Sequence, residues 1–154
     1  MKHFSKAVII LLTAALSFTV FGCKEPSSED DGNSTSKLTA PTNLVINSMT
    51  DNTSACAVNI SFNYNGKTGL DGATKAVLGY SLTNDYSSAY YDDNTYAVVE
   101  SGDNTRTVNI PSMSAPYFVP VEGKKYYFWL KVTSASNNVR DSAWSNVAEF
   151  TYSK

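Results

Sequence analysis

Gly123-Lys124-Lys125-Tyr126-Tyr127-Phe128-Trp129-Leu130-Lys131-Val132 reads as one long β-strand. Side chains alternate across a strand, so Tyr126, Phe128, Leu130 and Val132 share one face. Tyr127, Trp129, Lys131 and Thr133 share the other. The first set is apolar throughout and is predicted to face a core. Burying it contributes roughly 6–12 kcal/mol gross, an upper bound because unfolded chains are already partly compact.

The same alternation extends outward from this strand. Cys56, Val58, Ile60, Phe62 and Tyr64 form a half-buried strand with Cys56 inward. Thr95–Glu100 reads as a short strand. Thr105–Ile110 reads as another, with Val108 and Ile110 facing in, and the last strand, 147–152, puts Ala148, Phe150 and Tyr152 on one face. The Gly-rich run 65–75 lacks the spacing of a phosphate loop and reads as a flexible connector. Beyond the first 22 residues no stretch shows a helical period, so the pattern predicts an all-β sandwich.

Four short motifs in order resemble the fibronectin type III family over about residues 40–154. Pro41-Thr42-Asn43-Leu44 resembles the opening of the family's strand A, and Gly79-Tyr80 its strand C. Gly123 followed by Tyr126 resembles the entry to strand F, and Ser142-Ala143-Trp144-Ser145 the approach to strand G. Phe62 stands where members often carry tryptophan. The resemblance implies an immunoglobulin-like β-sandwich of about seven antiparallel strands at 41–154. It also implies a corner bond from Tyr126 back to upstream backbone.

The N-terminus reads as an address. Met1–Lys6 is short and basic, Ala7–Phe21 is apolar, and Gly22-Cys23 follows. That is a secretory signal, too short for a comfortable membrane span. Val20-Phe21-Gly22-Cys23 resembles the lipobox of bacterial lipoproteins, which implies cleavage after residue 22 and acylation of Cys23. Two or more acyl chains, at about 0.8 kcal/mol per buried CH₂, hold such a protein on a membrane almost permanently. Lys24, where some lipoproteins carry a retaining aspartate, favours the outer over the inner membrane by the same resemblance. Residues 23–40 are polar and aperiodic, a tether whose ends sit on the order of 20–25 Å apart.

Composition excludes several functions. His3 is the only histidine and falls in the expected signal, which removes His-based catalysis and His-ligated zinc from the mature chain. Cys56 then reads as a buried, inert thiol. Net charge is −2 and no basic patch suggests nucleic acid. Asp85, Asp92, Asp93, Glu100 and Asp103 match no EF-hand spacing and read as solvated loop residues. No two carboxylates are set across a cleft as glycoside hydrolysis requires.

The expected function is therefore non-catalytic, with no cofactor and no metal. Tyr127, Trp129, Tyr90, Tyr91 and Trp144 are the candidate ligand-binding residues, since exposed aromatics stack on sugars or anchor a protein partner. A second reading keeps Trp144 and Trp129 in a structural ladder with Lys131. At the level of the whole chain two functions lead: a lipid-anchored envelope module that binds a protein or glycan, or a structural spacer or envelope component facing the periplasm; a small glycan-active enzyme stands a distant third.

Overall fold

The computed structural model describes residues 36–112 and 118–154. The signal, Cys23 and residues 24–35 of the polar stretch lie outside the described residues, as do Pro116 and Tyr117. The strands are β1 (Ser36–Lys37), β2 (Thr42–Asp51), β3 (Ala55–Tyr64), β4 (Lys75–Ser81), β5 (Tyr96–Val98), β6 (Gly102–Pro111), β7 (Lys125–Thr133), β8 (Val139–Arg140) and β9 (Ala148–Thr151). One 3₁₀ turn, Tyr86–Ser88, follows β4.

They form an all-β molecule of two main sheets, ordered β2-β3-β6 and β5-β4-β7-β9, with antiparallel pairing throughout both. Period-two alternation decides what lies between them. Cys56, Val58, Ile60, Phe62 and Tyr64 of β3 are buried, as are Leu78 of β4 and Val108 and Ile110 of β6. From β7 come Tyr126, Phe128, Leu130 and Val132, all buried in the same core. The two inner faces share this one core, the arrangement of a β-sandwich. Phe128 sits at its middle, paired with Tyr80 on one side and Ala148 on the other.

Local chemistry shapes the ends. Gly123 precedes β7 at φ 73°, a left-handed conformation that glycine adopts without strain, and its N–H donates to Tyr152 O at 2.9 Å. The chain then turns inward, and the Val121 N–H donates to Tyr126 Oη at 3.0 Å, the corner bond expected at this position. At the edge shared by the sheets, Asn146 accepts from the Leu44 N–H at 3.0 Å and donates to the Leu44 carbonyl at 3.1 Å. That clasp satisfies edge groups of β2 beside the bulge at Asn43.

Two expectations are modified. The Gly-rich run is a hydrogen-bonded turn rather than a free connector. Ala73 N–H donates to Lys67 O at 2.7 Å, Gly72 N–H to Gly69 O at 3.1 Å, and the Tyr64 hydroxyl to Lys67 O at 3.2 Å. At the N-terminal side, Ser36–Lys37 lie parallel to Val139–Arg140, Leu38 N–H donates to Arg140 O at 3.0 Å, and Leu38 enters the core. The last polar residues before Pro41 are thus docked on the domain, because one leucine among them has apolar surface to bury.

Cys56 is fully buried and its thiol is pushed up from 9.0 to about 11, first by burial and then by the nearby Asp51 charge. Below pH 9 the thiol is protonated in folded and unfolded chains alike. Above it only the unfolded state ionises, so this group's contribution is lost as pH rises toward 11. Urea melts are expected to show wild type losing up to about 1.4 kcal/mol per pH unit more than Cys56→Ala in that window. Parallel stability curves would place the thiol in contact with solvent.

Candidate functional site

The five aromatic residues expected to form one binding face separate into two groups on opposite sides of the four-stranded sheet. Tyr127 and Trp129 of β7 point away from the core, as alternation requires. Trp129 is nevertheless only 4% exposed, which corrects the expectation of a solvent-facing platform. The reason is a second layer: residues around 89–93 and 141–146 are laid over the outer face of β4 and β7. Tyr127 is half-buried on the same face, opposite Glu149.

Serine chemistry builds that layer. β9 pairs with β7 only as far as Phe128↔Ala148. Beyond it the Leu130 N–H donates to Ser145 Oγ at 3.0 Å and the Val132 N–H to Ser142 Oγ at 2.9 Å. The backbone N–H groups of Ser145 and Ser142 return the bonds to the same residues' carbonyls, at 2.8 and 3.0 Å. Side-chain hydroxyls thus stand in for a strand that has left the ladder, and the residue between them, Trp144, is thrown onto the outer face. It lies over Gly79, where a Cβ would stand 3.1 Å from the indole. Any larger residue there meets the ring, so the Gly79-Tyr80 and Ser-x-Trp-Ser motifs are two halves of one contact.

Lys131 closes the layer. Its ammonium stands 4.3 Å from the Tyr91 ring centre and 5.5 Å from that of Trp144, with Asp141 at 3.3 Å and Asp93 at 3.7 Å. Tyr91 and Trp144 meet edge to face at 5.3 Å. The Lys131 side chain is 12% exposed, so the cation is largely withdrawn from water, where ring faces and carboxylates bind it more strongly than at an open surface. Tyr91 and Trp144 therefore have a structural occupation that pins two loops to the sheet.

Tyr90 goes elsewhere. It exchanges backbone bonds with Tyr80, at 2.8 and 3.0 Å, extending the edge of β4 by one bridge. Adjacent residues of an extended chain point to opposite sides, so Tyr91 meets Trp144 while Tyr90 turns to the end of the core. There four rings run in series from solvent inward: Tyr90 and Tyr80 at 6.3 Å and 26°, Tyr80 and Phe118 at 4.3 Å, Phe118 and Tyr126 at 5.2 Å. With Leu82, Val119 and Val121 they line a pocket of about 410 Å³. Tyr80 is pushed up to about 12 by burial and by Tyr90 beside it, so it is a neutral hydroxyl at physiological pH.

Tyr80, Phe118 and Tyr126 were not among the sequence-predicted site residues. Their signal was topological: the end of β4 and the start of β7 are antiparallel neighbours, which brings Tyr80 and Tyr126 to one end of the sheet.

The acidic residues are engaged one by one. Asp85 accepts from the Ser87 N–H and hydroxyl, which hold its carboxyl below the usual range. Asp92 accepts from the Asn94 N–H, Glu100 pairs with Arg106 at 2.9 Å, and Asp103 accepts from Asn63. Among the described residues no three His, Cys, Asp or Glu side chains gather as a metal-holding group.

No protein-family model matches the chain, and no curated protein does. A crystal structure of a pectate lyase from Pectobacterium carotovorum is similar at a TM-score of 0.37 and 12% identity, over 73% of this chain and 27% of that one. The chain thus spans about a quarter of that enzyme's length, and a likeness this distant bears on neither fold nor activity.

Proposed function

We propose that this protein is a lipid-anchored bacterial envelope protein whose fibronectin type III-like domain is a non-catalytic binding module displayed on the outer membrane. The observation that carries this reading is the four-ring pocket itself, an aromatic and apolar recess at one end of the four-stranded sheet. Ser36–Lys37, where the described chain begins, lies beside Val139–Arg140 just beyond the Thr133 end of β7. The pocket lies at the Tyr126 end. Nine residues of strand separate these ends by on the order of 25 Å, so the pocket lies at the end of the sheet opposite the one where the described chain begins.

The family reading draws support from the strand partition. In the family's lettering, strands A and B fall in one sheet and C, F and G in the other, as in immunoglobulin-like sandwiches. The corner bond of Tyr126 and the seating of Trp144 on Gly79 give its motifs physical work. Among the described residues the pocket is lined by tyrosine, phenylalanine, leucine, valine and serine side chains.

The anchor is testable by itself. Cells fed labelled palmitate are expected to label wild type and not Cys23→Ala, and the variant is expected to leave the membrane fraction. Equal labelling of the variant would remove the lipoprotein reading.

A further inference from the structure

We propose that the four-ring pocket takes an extended, proline-containing apolar segment of a partner protein, its prolyl rings lying against Tyr90 and Tyr80. This rests on the binding-module reading above and names the ligand class of that site. Three observations converge on it.

The first is charge. No ionisable group other than tyrosine lines the pocket among the described residues, while Leu82, Tyr90, Val119 and Val121 are each more than half exposed around it. The ligand is therefore neutral and apolar where it touches.

The second is the direction of hydrogen bonding. The hydroxyls of Tyr80 and Tyr90 have no partner among the described residues and remain available to donate. The serine and threonine hydroxyls beside them are occupied with one another: Ser81 with Thr83 at 3.1 Å and with Ser88 at 3.0 Å, and Ser88 with the Asp85 carbonyl at 2.8 Å. A saccharide presents many hydroxyls and needs a rim of open polar partners, which this rim has already spent. A polyproline-type segment presents carbonyls that need only donors, and its prolines bring no N–H to satisfy.

The third is the backbone. The β4 edge at Tyr80, where a ligand strand would add to the sheet, is already paired with Tyr90. Strand addition is blocked there, whereas a polyproline segment binds through side chains and carbonyls and needs no free edge.

The test uses the full chain, purified with its anchor in detergent, and a fluorescein-labelled octaproline peptide followed by polarisation. Saturable binding is expected. Tyr90→Ala is expected to weaken it about tenfold or more, and Tyr80→Phe, which keeps the ring and removes the donor, about fivefold. Tyr96→Ala, on the exposed strand β5, is expected to change it by less than about twofold. Octaproline binding that ignores both Tyr80→Phe and Tyr90→Ala overturns the assignment to this pocket. If octaproline fails and chitohexaose binds in a Tyr90-dependent way, the peptide class is overturned while the binding-module reading stands. If neither probe binds, the proposal fails, and the cell-surface measurement below judges the module reading separately.

Discussion

Phe128→Ala is expected to destabilise the domain by about 3–5 kcal/mol, the range for deleting a fully buried phenylalanine whose site cannot collapse. The ring is 0% exposed and paired on both sides, with Tyr80 and Ala148, so no flexible surface segment is at hand to fill the space. Domains of this size hold roughly 5–15 kcal/mol in all, and the melting midpoint is expected to fall by about 10–20 °C. Tyr126→Phe is the comparison. It removes only the acceptor for the Val121 N–H, in a partly buried corner, and is expected to cost about 1 kcal/mol. Thermal melts giving the opposite order would mean that β7 is held by its corner bond rather than by its packed face.

Trp129→Ala is the second large effect, and it separates the structure from the surface reading of the sequence. A tryptophan platform facing solvent is removed at little cost to stability and at full cost to binding. Trp129 as it stands is 4% exposed beneath the layer that Trp144, Tyr91 and Lys131 complete. Its removal is expected to cost about 3–5 kcal/mol, and the fraction that still folds is expected to bind octaproline as wild type does. Denaturant melts give the first quantity and polarisation the second. A variant of unchanged stability would return Trp129 to the surface.

What the sequence discloses and what it withholds have one physical source. The inward faces of β3 and β7 are legible because strand periodicity is two and each run carries apolar residues at every second position. Cys56 through Tyr64 and Tyr126 through Val132 are buried as that pattern requires. The outward faces are not legible in this way. Whether Trp129 meets water depends on loops that fold back over it, and those loops are held by serine hydroxyls replacing a strand, by a glycine under an indole, and by one lysine. None of these leaves a periodic trace.

Tyr90 and Tyr91 show the same limit on a smaller scale. Their adjacency suggests a single aromatic patch, yet an extended backbone sends neighbours to opposite sides, one to the Lys131 ladder and one to the pocket. Phe118 lay hidden for another reason: its partners, Tyr80 and Tyr126, come together only through the pairing of β4 with β7.

The most direct measurement of the central claim is protease treatment of intact cells, with a periplasmic protein as the leakage control. A domain displayed outward is expected to be clipped while the control survives, with Cys23→Ala no longer retained on the cells. A domain spared until the outer membrane is opened would contradict surface display and return the protein to the envelope interior as a spacer.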